Sequence, residues 1–143
     1  MNAGQVDRPE AHERDGELSS TSSGLARVQS SERDDVRVVA VSGEVDASNV
    51  QVLRDATLDL RNDALGIVLD LSEASFIDSA TIGLLFELDN ALSRRRQALR
   101  IVCPEGSPAD RLLELTAFDP DTLAERECDA AITAIRQQLS LRE

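Results

Sequence analysis

Between Leu65 and Leu92 the chain reads LGIVLDLSEASFIDSATIGLLFELDNAL. Aliphatic residues stand at almost every position from Leu65 to Leu71. Such a run predicts a strand buried on both faces, which needs a layer of structure on each side of its sheet. A short polar loop follows. Then Leu84, Leu85, Leu88, Ala91 and Leu92 recur at helical spacing along one face of a helix from Ser79 to about Arg94. A doubly buried strand leading through a loop into an amphipathic helix is half of a parallel crossover unit, and it restricts the fold to the α/β class.

The flanking sequence repeats the pattern. Val36 to Ser42 is a second valine-rich strand, left through Gly43-Glu44-Val45-Asp46 into a helix from about Ala47 to Arg61. Asp46 or Ser48 is placed to cap that helix. Gln97 to Val102 predicts another strand. Pro108 suits the first turn of a short helix through Leu115. Thr122 to Arg126 reads as a weak final strand and Cys128 to Leu139 as a last helix. Leu25 to Ser31 reads as a short edge strand. The expectation is a single α/β domain over residues 25–143, with a mixed, mostly parallel sheet of four or five strands packed with helices. Residues 1–24 are polar and include SSTSSG, a composition that buries little surface, so they are expected to form a disordered leader.

Composition removes several functional classes. The formal net charge is -12, with 27 acidic residues against 15 basic, so nucleic acid and anionic membrane are repelled. Every basic residue is arginine, which removes a Schiff-base lysine and a phosphate-binding P-loop lysine. His12 is the single histidine, so no histidine-based triad or zinc site can be assembled. Cys103 and Cys128 fit no metal or redox spacing and read as free thiols of a cytoplasmic protein. No apolar run is long enough to span a bilayer, and direct membrane insertion is not expected. No cofactor or metal is expected either.

In an α/β fold the chemistry gathers in loops at the carboxyl ends of the strands. Here those loops carry Glu44, Asp46, Glu73, Asp78 and Glu105. One reading lets Asp70, Asp46 and Asp78 hold magnesium in a receiver-type phosphotransferase. The absence of lysine weighs against it, because a phosphorylated aspartate needs a nearby cation that arginine replaces imperfectly. The expected chain is therefore not an enzyme and has no catalytic residue. Ser79 has two readings. It can cap the helix it begins, and it also sits where an added phosphate meets the positive end of that helix. Ile82 and Phe86, four residues apart, project away from the leucine face on either side of Gly83. They read as a protein-docking patch, or as a pair covered by the leader or the last helix.

Three stretches carry a family resemblance: SGEVDASN from Ser42, IVLDLSEASFIDSATIGLL from Ile67, and RLLELTAFD from Arg111. Over about residues 25–139 the chain resembles STAS domains of the anti-sigma factor antagonist type. That resemblance implies a small, non-enzymatic α/β domain. Unphosphorylated, it binds an anti-sigma factor that is also a serine kinase, and a sigma factor is released for transcription. The kinase then phosphorylates a serine at the start of the second helix and breaks the complex, and a PP2C-type phosphatase restores it. By resemblance the phosphoacceptor falls on Ser79, with Asp78 before it, and Asp46 falls near the kinase contact. The family's D-S-S-G segment here reads Asp78-Ser79-Ala80-Thr81, so Thr81 is a second, weaker candidate acceptor. The partner-binding set is Asp46, Asp78, Ile82 and Phe86, and a weak homodimer is also expected. The alternative is a STAS subunit of a transporter or multi-protein signalling complex that has no phosphoswitch.

Overall fold

In the computed structural model, residues 18–59 and 63–142 are described. Five strands form one sheet: β1 (Leu18–Ser23), β2 (Ala26–Arg33), β3 (Val36–Val45), β4 (Gly66–Ile77) and β5 (Ala98–Val102), ordered as in the sequence. The first two pairings are antiparallel, and β3–β4 and β4–β5 are parallel. The helices are α1 (Val50–Leu58), α2 (Ser79–Arg94), α3 (Pro108–Glu114) and α4 (Cys128–Arg142), with a 3-10 turn at Pro120–Leu123. This is the mixed-sheet α/β domain that the alternating pattern predicted.

Two cores lie on the two faces of the sheet. The larger joins Val39, Val41, Ile67, Leu69 and Leu71 of the strands to Leu53 of α1, Leu84, Leu85 and Leu88 of α2, and Leu113 of α3. The smaller joins Val36, Val38, Val68 and Val102 to Ala131, Ile132 and Ile135 of α4. Alternate residues of β3, β4 and β5 serve opposite cores, which is why β3 and β4 read as continuous aliphatic runs.

Three elements differ from the sequence expectation. Leu18–Ser23, placed by composition in the polar leader, is the edge strand β1, closed onto β2 through a tight turn in which Gly24 has φ 58°. Backbone pairing stabilises it although Ser20, Thr21 and Ser22 are exposed. Residues 1–17 of the expected leader lie outside the described residues. The interval after Leu71 is not a loop. β4 continues to Ile77 because Ser42–Val45 of β3 pair with Glu73–Ile77, with two register shifts that break the alternation a sequence pattern relies on. Finally, Pro120 starts a 3-10 turn in place of the weak strand expected at Thr122–Arg126. Its first residue has no amide hydrogen, which suits a helical start better than a ladder.

Candidate functional site

The carboxyl ends of β3 and β4 bring Gly43–Asp46 and Asp78–Thr81 together. Gly43 has φ 86°, and a Cβ there would stand 1.9 Å from the carbonyl oxygen of Leu25, so only glycine lets the chain pass. The next residue, Glu44, donates its backbone N–H to that carbonyl at 3.2 Å. Asn49 is buried and clamps the turn from within. Its Nδ2 donates to the Glu44 carbonyl at 2.9 Å, and its Oδ1 accepts the Asp46 N–H at 3.0 Å. The Asp46 carboxylate accepts from both the hydroxyl and the backbone N–H of Ser48, at 2.6 and 2.9 Å. These bonds, the hydroxyl first, hold its carboxyl below the usual carboxylate range.

At the second segment the residue that caps α2 is Asp78, not Ser79. One Asp78 carboxylate oxygen accepts the N–H groups of Ala80 and Thr81 at 3.0 and 3.2 Å. Ser79 is the first helical residue, and it is exposed. Its hydroxyl therefore stands in solvent at the positive end of a sixteen-residue helix. Thr81 has the opposite environment. It is fully buried, and its hydroxyl donates to the Val45 carbonyl at 3.4 Å, tying α2 to the end of β3. Thr81 is thus a structural tie, and a kinase would have to open the fold to reach its hydroxyl.

The patch on α2 is partly covered. Phe86 stacks on Phe118 with ring centroids 4.2 Å apart and planes 5° from parallel. Among the described residues, the segment after α3 supplies this cover through Phe118. Ile82 and Phe86 are both half-buried against the larger core.

Asp70 lies apart from this cluster. Its carboxylate accepts the Ser72 N–H at 2.9 Å and the Cys128 thiol at 3.2 Å. Burial, and then the neighbouring Asp70, push that thiol up to about 12. Among the described residues no three His, Cys, Asp or Glu side chains gather in a metal-holding group, so Asp70, Asp46 and Asp78 do not form the constellation that a receiver needs. Two clefts lie elsewhere. One is lined by Asp89, Arg100 and Asp119, the other by Thr21, Arg37 and Asp55. Neither contains Ser79.

A family model described as STAS domain matches residues 27–130. The chain belongs to the STAS domain family. It is a non-catalytic module. Among solved structures, this STAS domain is similar to an anti-sigma factor antagonist from Mycobacterium paratuberculosis, with 25% identity and a TM-score of 0.63 over 78% of this chain and 94% of that one. The protein TM1081 shares the fold at 18% identity and a TM-score of 0.62, over 96% and 99% of the two chains. The murine anion transporter Slc26a9 shares it at 16% identity and a TM-score of 0.60, over 74% of this chain but 18% of the transporter. No curated protein matches. Among the described residues, no helix is long and apolar enough to cross a membrane.

Proposed function

We propose that this STAS domain is an anti-sigma factor antagonist governed by phosphorylation of Ser79. Unmodified, it binds a serine-kinase anti-sigma factor in the cytoplasm and thereby frees a sigma factor. Phosphorylated, it lets go, and a PP2C-type phosphatase resets it. The observation that carries this reading is the division of labour at the start of α2: Asp78 does the capping, and the exposed Ser79 hydroxyl is free for chemistry. The antagonist from Mycobacterium paratuberculosis, matched over most of both chains, supports the partner class.

The physics of the switch is local. Phosphoserine carries about -1.5 to -2 charges at neutral pH. At Ser79 the positive end of the helix dipole tolerates it, so the domain need not refold. The same charge, beside Asp78 and Asp46, disfavours a partner face that docks there. In this reading Asp46, Asp78, Ile82 and Phe86 face the partner, with Phe86 held in place by Phe118.

The test is phosphorylation by the partner kinase with ATP, mapped by mass spectrometry. Phosphate on Ser79, abolished in Ser79→Ala, is the expected result. Phosphate confined to serines before Leu25 sinks the assignment. If no kinase of the organism modifies the chain, the departure at Ala80-Thr81 marks a STAS subunit of a transporter or signalling complex without the switch.

A further inference from the structure

The two faces of the sheet are covered to different lengths. On one face α1, α2 and α3 follow the strands to their carboxyl ends. On the other, α4 starts at Cys128, whose thiol touches Asp70, and packs on Val36, Val38, Val68 and Val102. β4 runs on from Asp70 to Ile77, about 23 Å at ~3.3 Å per residue. Among the described residues, that part of the sheet has no helix above it on the α4 side.

The residues presented there follow from register. Val45 and Ile77 point into the larger core, so their strand neighbours Glu44 and Phe76 point the other way, and Leu25, in the turn just before β2, lies beside Glu44. Glu44 pairs with Phe76, and its N–H bonds the Leu25 carbonyl. Leu25, Glu44 and Phe76 therefore form one row across three chain segments. Leu25 is 69% exposed and Phe76 47%, large apolar side chains left in water at the same end of the sheet. The adjoining row is Arg27, Ser42 and Glu73.

We infer that the Leu25–Glu44–Phe76 row is a docking surface, and that its occupant is the anti-sigma factor, through a face with apolar anchors beside basic side chains. This rests on the proposed antagonist function. Charge selects the occupant. Glu44 and Glu73 outnumber Arg27 on this surface, and the whole chain carries -12, so a second copy brings like charge to the contact and a basic face brings the complement. Regulation agrees with the placement. Ser79 follows Phe76 by three residues, so their Cα atoms lie within about 11 Å, and a phosphate there stands at the border of the row. Leu25 and Phe76 have the isolated, exposed character of anchors that gain their burial from a partner.

The experiment measures binding of the full chain to each ATP-binding anti-sigma kinase of the same organism by calorimetry. Leu25→Ser and Phe76→Ser are each expected to weaken the Kd at least tenfold while the circular dichroism spectrum and Tm stay unchanged. Leu115→Ser, at an exposed leucine after α3, changes it less than twofold. Glu44→Arg is expected to slow association and to flatten its salt dependence. If the wild type binds and both serine variants bind within twofold of it, the row is not the docking surface and the antagonist function stands. If the wild type binds none of the kinases, the antagonist function falls and the row falls with it. A homodimer that Phe76→Ser dissociates, or nuclear Overhauser contacts from residues 1–17 to the Phe76 ring, names a different occupant and overturns the inference.

Discussion

Ser79 and Thr81 stand two residues apart at the start of one helix, and both carry a hydroxyl in a segment that reads as a phosphorylation site. One is in solvent and the other is fully buried on the Val45 carbonyl. The same contrast recurs at larger scale between the two sheet faces. Under α1, α2 and α3 the apolar residues are buried to the strand ends, whereas beyond the start of α4 Phe76 is exposed. The covered side holds the fold together. The uncovered side and Ser79 are where substitution should alter recognition and leave stability intact.

The largest expected effect is on the covered side. Leu85 is fully buried, so Leu85→Ala should cost about 2–5 kcal/mol in urea unfolding. A loss under about 1 kcal/mol contradicts the assignment of this face as the main core. Asn49→Ala removes the buried clamp on Glu44 and Asp46 and should cost about 1–3 kcal/mol, because the Asp46 N–H and the Glu44 carbonyl lose their partners. Binding to the kinase should fall with it, since the clamp positions Asp46.

A chemical probe reports where the cover on the second face begins. Cys128 ionises only near pH 12 in the fold, against an ordinary thiol value of 9.0. At pH 9 its alkylation by iodoacetamide should be at least tenfold slower than that of an unfolded control. The sign for stability follows. The folded pKa is raised, so this contribution is complete below pH 9 and is lost as the pH climbs from there toward 12. Asp70→Asn should speed the alkylation, because it removes the negative charge beside the thiolate.

Smaller effects separate the two residues at the helix start. Asp78→Ala removes the cap and should cost about 1 kcal/mol. Ser79→Ala should stay within about 0.5 kcal/mol of wild type, as an exposed residue that does no capping. The reverse order would return the cap to Ser79. Phe76→Ser should be the mildest in stability, within about 0.5 kcal/mol, its effect reserved for partner binding. Phe86→Ala is not its equivalent on α2, because loss of the stack on Phe118 should cost stability as well as binding.

The amino-acid sequence by itself determined the α/β class, the central strands, α2 with its leucine face, and the Asp78-Ser79 junction. These are legible because doubly buried strands and amphipathic helices write their burial directly into local periodicity. Only the tertiary structure decided which of two neighbouring side chains caps α2, because Asp78 and Ser79 are both good caps and the backbone entering the helix chooses between them. Only it placed Leu18–Ser23 in the sheet, since an edge strand of serines is held by backbone pairing that composition does not register. It also covered Phe86 with Phe118 and left Phe76 bare. Both outcomes depend on contacts between segments far apart in the chain, and no local pattern of either segment encodes them.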